Sequence, residues 1–489
     1  MKKINFLVGL AAAMMLLWGT SAGAQTLVDL QTAFDAVKVS GGAISVPATV
    51  VDGDYELIAD APVTITLTGI LSVEAGTLTI GDKVAITTTV ANAVAAMPGG
   101  TVILEPGCTI TSSATAPLSA AGGTVIVDGG SVSTTNFPGA VAGTTLAGGG
   151  GGTLIVNGGV IFTTHGTASA YPRGIVIDHG GTCYVNGGRV YSNVANGRGI
   201  SVNGTGSGGR LYVTGGSIEA TGTGGRAIQV DNYNTAVPQT AFLSVSGSPT
   251  IKGTVEAIML QKTAVAVIQP GTDISTWTGV VGTNANGARL YDCRGVSQGF
   301  VITADPVAGT FDSEIEVELA LSGGSVTDDI YKYENSNFNA VSGVVTGTRT
   351  ALASAAVFDA MNYTVNESVP AYRNASTIVY SDPIPISEPT TITAVPVMMD
   401  GIVSVPVGDP FIFVYDIITG IITPPAGEAS AYIVANTLFL PESGAVQLYN
   451  VGGQLVLNAI ATGKTIDVSS LNKGIYIVKA GAATFKIAK

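Results

Sequence analysis

Along the first half of the chain, apolar and polar residues alternate in short runs that are cut by paired glycines. Gly122-Gly-Thr-Val-Ile-Val-Asp-Gly-Gly130 recurs as Gly151-Gly-Thr-Leu-Ile-Val-Asn-Gly-Gly159, as Gly180-Gly-Thr-Cys-Tyr-Val-Asn-Gly-Gly188 and as Gly208-Gly-Arg-Leu-Tyr-Val-Thr-Gly-Gly216. Weaker copies lie at 77–83, 101–107, 240–248 and 265–271. The residues that open the turns fall at 81, 106, 129, 158, 187, 215, 247 and 270. Each period holds three strand-like pieces with an alternation of two. The first is Gly174-Ile-Val-Ile-Asp178, repeated as Gly199-Ile-Ser-Val-Asn203 and Ala227-Ile-Gln-Val-Asp231. The second is the Thr-Val-Ile-Val piece. The third follows the glycine pair, as in Arg189-Val-Tyr191 and Ser217-Ile-Glu219.

Two columns of equivalent positions are apolar throughout. One is Val127, Val156, Val185, Val213 and Val245; the other is Val125, Leu154, Cys183, Leu211 and Leu243. Both are expected to point inward and stack. Three strands in about 25 residues, repeated, predict a parallel β-helix. The glycines supply the positive φ that turns between its faces need. The Asp128, Asn157 and Asn186 column before them suits hydrogen bonding at the turns. Leu27, Leu30, Phe34 and Val37 are spaced as the apolar stripe of a helix, a candidate cap over the first open end. This layout resembles the pectin-lyase-like superfamily over residues 25–298, which implies a right-handed coil. The resemblance is architectural and points to no one enzyme.

The glycine period stops near Phe300. Residues 299–418 hold 15 Asp or Glu against 3 Lys or Arg, so most of the net charge of −13 lies there. Asp312, Glu314, Glu316 and Glu318 alternate with Ile315, Val317 and Leu319, a strand with one acidic and one buried face. Asp305-Pro-Val-Ala-Gly-Thr-Phe311, followed by the Tyr380-Ser-Asp-Pro-Ile-Pro-Ile segment, resembles the chitobiase C-terminal-type Ig-like module, an accessory β-sandwich. A helix-prone stretch at 351–361 departs from that pattern. A Pro-Pro linker occupies 419–427. The expected fold is therefore all-β: a right-handed parallel β-helix followed by two small Ig-like β-sandwich domains.

The second of these sandwiches, 428–489, contains Val446-Gln-Leu-Tyr-Asn-Val-Gly-Gly-Gln-Leu-Val456 and a later Leu471-Asn-Lys-Gly-Ile-Tyr476. It resembles the C-terminal sorting domain of type IX secretion in Bacteroidetes. The residues that carry the likeness are Tyr449, Gly453, Leu471, Gly474 and Tyr476. That resemblance implies the type IX secretion machinery as a partner, and passage through the periplasm to the medium or the outer-membrane surface. Residues 1–24 read as the matching secretory signal: Lys2 and Lys3, an apolar run, then a small-residue site at Ala22-Gly23-Ala24.

Composition narrows the chemistry. Charged residues are 11% of the chain, and the pI near 4.5 disfavours nucleic acid. Cys108, Cys183 and Cys293 are too few and too scattered for a disulfide framework or a zinc site. Between 101 and 172 only Glu105 and Asp128 are charged, which leaves no room for a carboxylate pair with a base. Arg173, Arg198 and Arg226 form a column just before the first strand; Asp178 and Asp231 belong to another just after it. Two coils would separate those aspartates by roughly 10 Å, at the limit for an inverting pair. The arginines suit an acidic polysaccharide, or both columns cap turns and pair with each other. Tyr184 and Tyr212 stack on the outward side of the second strand, as a stabilising ladder or a platform for sugar rings. No catalytic residue, metal or cofactor is assigned. The favoured role is a non-catalytic adhesin or glycan-binding scaffold that meets an extracellular polysaccharide or a host surface glycan. The alternatives are a polysaccharide lyase or hydrolase of pectin-lyase-like fold and a structural surface-layer component.

Overall fold

A computed structural model describes residues 27–489, except 144–149, 167–170, 205–207, 232–240, 284–286, 312, 327–329, 340–341, 343–344, 353–359, 367–377, 401–402, 418–430, 435, 441–442, 451–453, 472–473 and 482. The signal segment, the linker, Asp312 and Gly453 lie outside the described residues. The chain forms two compact units. The first takes in residues up to 308 with 316–384 and 390–414; the second takes in 309–315, 385–389 and 415–489.

The first unit is nearly all strand. Each strand of the repeat pairs in parallel with the equivalent strand one period later. In the second-strand column, Thr124–Val127, Thr153–Val156, Thr182–Val185, Arg210–Val213 and Phe242–Val245 follow one another in unbroken register. The first-strand column runs through Arg173–Ile177, Arg198–Asn203 and Arg226–Asp231. The third runs through Val160–Thr163, Arg189–Ser192 and Ser217–Ala220. Both apolar columns read from the sequence are buried, with Val127, Val156, Val185 and Val213 at 0% exposure. They form one continuous core along the repeat. Cys108, Cys183 and Cys293 are free and buried. Burial pushes the Cys108 thiol up to about 11, so it stays protonated and packs as a small apolar group.

The helix Leu27–Asp35 stands where the cap is expected, with Leu30 and Phe34 buried in the core. The column before the turns is a side-chain ladder. Asn157 donates to Asp128 at 2.8 Å, Asn186 to Asn157 at 2.9 Å, and Thr214 to Asn186 at 2.9 Å. Each rung thus satisfies a polar group of the next.

The far end of the large sheet is covered by chain from beyond the repeat. Strand Ile330–Asn339 pairs antiparallel with both Thr278–Thr283 and Arg289–Asp292, and Val345–Leu352 pairs with it in turn. An open parallel edge invites pairing with other chains, and this hairpin occupies it. Further strands pair antiparallel: Val296–Asp305 with Ile315–Val326, Ala360–Val365 with Thr390–Asp400, and Val403–Pro406 with the latter. Val317 and Leu319 are buried while Glu316 and Glu318 face solvent, the alternation read from the sequence. The helix-prone stretch is strand at both described ends, in Val345–Leu352 and Ala360–Val365. Cross-strand pairing outweighs local propensity there.

In the second unit, Leu455–Ala461, Gly444–Asn450, Ile475–Ala480 and Ala483–Ala488 form a four-stranded antiparallel sheet. Its core includes Leu438, Val446, Leu448, Val468, Tyr476 and Val478.

Candidate functional site

On the second-strand column, inward residues alternate with outward ones. Cys183 and Val185 are buried, so Tyr184 between them must face out. The same logic places Tyr212, which is in register with Tyr184 on the next strand. Their rings stack with centroids 5.1 Å apart and planes 15° from parallel. Phe242, in register with Arg210 on the next strand, adds a buried ring whose centroid lies 5.9 Å from Tyr212 and whose plane is tilted by 58°.

This aromatic row is the floor of a groove of about 650 Å³. Phe300 contributes a further ring, and the opposite wall is the segment from Pro406 to Phe411. Gln269 fixes that wall. Its side chain is buried, and its Nε2 donates to Ser244 Oγ at 2.8 Å and to the Pro406 carbonyl at 3.2 Å. Its Oε1 accepts the Gly408 N–H at 2.8 Å. One amide thereby ties together positions 137 and 139 residues apart in the chain.

The Tyr212 hydroxyl is buried and finds no hydrogen-bond partner among the described residues. Burial, and then the nearby Tyr184, push its pKa up against a smaller opposing effect of Arg210, so it remains an O–H donor. A buried hydroxyl without a partner is costly.

The arginines and aspartates are placed differently. Arg173, Arg198 and Arg226 are in register on adjacent strands, and the column continues to Glu256. Arg226 forms an ion pair with Glu256. Arg198 is buried, donates to Gln229 and lies 4.3 Å over the Tyr171 ring. Arg173 lies 5.8 Å over Phe137. Asp231 pairs with Lys262 at 3.3 Å, and Asp178 accepts the His179 N–H at 2.8 Å. Each has a partner from its own or an adjacent rung. Of the seven residues singled out as ligand contacts, Tyr184 and Tyr212 line the groove and these five do not. Phe242, Gln269, Phe300, Asp409 and Phe411 also line it. Only Phe242 left a trace in the sequence, as an aromatic residue in register with the repeat. Among the described residues, no group of three or more His, Cys, Asp or Glu could hold a metal ion.

In the second unit the motif residues serve the fold. Tyr476 is buried, and Leu471 packs against the same core. Gly474 exchanges two backbone hydrogen bonds with Lys489, both 2.9 Å. Lys489 Nζ in turn donates to the carbonyls of Val468, Ser469 and Leu471. The half-buried Tyr449 donates to Gln447 at 2.9 Å. Residues 430–489 match the family described as the secretion system C-terminal sorting domain. This tail is a type IX sorting domain. A chain that carries it is handled by the type IX secretion machinery and is secreted or held at the cell surface. No curated protein and no solved structure gives a significant match to the chain.

Proposed function

We propose that the exported protein is a non-catalytic glycan-binding scaffold. In this reading residues 25–298 form a right-handed parallel β-helix of the pectin-lyase-like kind, and residues 299–418 form an Ig-like module. Residues 428–489 direct export through the periplasm. The observation that carries it is the stacked, half-buried pair Tyr184–Tyr212 that lines a built groove. Aromatic faces carry negative charge above the ring, and the electropositive C–H face of a sugar ring packs against them. The carboxylates once considered for catalysis are engaged with Lys262 and His179, which favours binding over bond cleavage.

A glycan array probed with the full chain tests the reading. Wild-type protein is expected to retain a defined class of glycans, and Tyr184→Ala to lose at least tenfold in affinity while staying folded, with a loss of only about 1 kcal/mol in stability. Equal retention by the two proteins would remove the groove from the function.

A further inference from the structure

Resting on that glycan-binding reading, we infer that the groove takes neutral hexopyranose chains and turns away uronate-bearing ones. The argument is one of charge. Among the described residues, no lysine or arginine lines the groove. The one acidic side chain among the described residues that line it is Asp409, which is exposed on the wall segment. A uronate carboxylate leaving water needs a cation or several N–H donors to replace its hydration. Two of the N–H donors that line it are already engaged: Gln269 Nε2 bonds Ser244 and Pro406, and the Gly408 N–H bonds Gln269. The arginine column that suits acidic polysaccharide lies on the first-strand column, with its side chains held by Glu256, Gln229 and aromatic rings.

What the groove does offer is apolar and flat. Tyr184 and Tyr212 stack 15° from parallel, and the buried Phe242 backs them with its ring tilted 58° from Tyr212. Pro270, Pro396, Pro406 and Pro410 add rigid apolar edges. Stacking with sparse hydrogen bonding suits a neutral pyranose, and Asp409 repels a carboxylate placed beside it.

Calorimetric titration of the full chain tests this. The probes are neutral gluco-, manno- and galacto-hexasaccharides and hexagalacturonate, each at low and high salt. At least one neutral probe is expected to bind, with a tenfold or greater loss in Tyr184→Ala. Hexagalacturonate is expected to bind at least tenfold more weakly than that probe. The gap should narrow in Asp409→Asn and with added salt, because an exposed charge is screened. Hexagalacturonate binding as tightly as any neutral probe, with the same loss in Tyr184→Ala, would overturn the inference and leave the glycan reading standing. Binding of no probe, or binding indifferent to Tyr184→Ala, would overturn the reading and the inference together.

Discussion

The turn glycines offer the sharpest test of the repeat, because two different physical demands fall on neighbouring positions. Gly188 has φ +67°, and a Cβ there would lie 2.5 Å from the carbonyl oxygen of Gly158 on the previous rung. Gly187 needs no unusual φ, but its Cβ would lie 2.1 Å from the Asn157 carbonyl oxygen. Real Cβ atoms do not come within 3.0 Å, and both obstacles are backbone atoms of a paired sheet. An alanine at 188 carries about 1–2 kcal/mol for the left-handed conformation. Pushing the rungs apart adds about 1–3 kcal/mol, the usual range for overpacking. Gly188→Ala should therefore cost about 2–5 kcal/mol, and Gly187→Ala about 1–3 kcal/mol from crowding alone. Gly166 has nothing within 4 Å of its would-be Cβ, so Gly166→Ala should stay within about 0.5 kcal/mol of wild type. Urea unfolding followed by tryptophan fluorescence gives the comparison, since Trp277 is fully buried and donates to the Pro249 carbonyl at 3.1 Å. If Gly188→Ala unfolds at the same urea concentration as Gly166→Ala, the rungs are not stacked as described.

Three further outcomes are expected. Val185→Asp should lose about 4 kcal/mol or more, because it places an unpaired carboxylate in the core, whereas Tyr184→Ser should lose about 1 kcal/mol of ladder contact; equal melting losses would reverse the inward and outward assignment. Burial raises the Glu219 pKa, but Arg189 at 2.6 Å, then Ser217, and the charge of Lys252, outweigh it and hold it below 4.5. A depressed folded pKa stabilises above the unfolded value and is lost as pH falls through the folded one. Glu219→Gln should thus be less stable than wild type at pH 7 by under about 1 kcal/mol, and the difference should close as a chemical-denaturation series is taken below pH 4.5. Removing residues 430–489 should leave the unfolding of the repeat unchanged and keep the protein off the cell surface; surface labelling of the truncated form at wild-type level would contradict the sorting role.

What the sequence made legible was whatever repeats. The Val127 and Val125 columns, the turn glycines and the capping helix each recur or obey a period, and each sits where the pattern puts it. The tail was legible from its motif, although Tyr476, Leu471 and Gly474 turn out to build its core and close its chain rather than display themselves. Single long-range contacts left no such signal. Nothing near Gln269 announces that its amide will hold Pro406 and Gly408. Nor does the pattern at 330–339 announce an antiparallel strand across the end of a parallel sheet. The partners of the charged columns were equally hidden. Arg226 takes Glu256 and Asp231 takes Lys262, all residues of adjacent rungs, so these charges are spent one rung along. Periodicity identifies a column; it does not say which neighbour a long side chain will reach.

The outward side of the second strand shows how one column changes role along its length. Ile103, Ile126 and Ile155 are half-buried on its early rungs. Tyr184 and Tyr212 follow in the same register, then Ser244, Val267 and Tyr291. Val267 and Tyr291 are fully buried and share a core with Met398, Val405 and Val407 from the following segment. The tyrosine pair therefore stands at the border between an open face and a covered one. That position explains why the column lines a groove at these rungs: the wall from the following segment arrives here. It also makes the groove a matter of counting. Rungs are spaced by about 4.8 Å. Deleting one between Tyr212 and Gln269 would carry the platform past the Pro406–Phe411 wall by one ring spacing while leaving every apolar column intact. Fold and stability tolerate such a change in a repeat; the site does not.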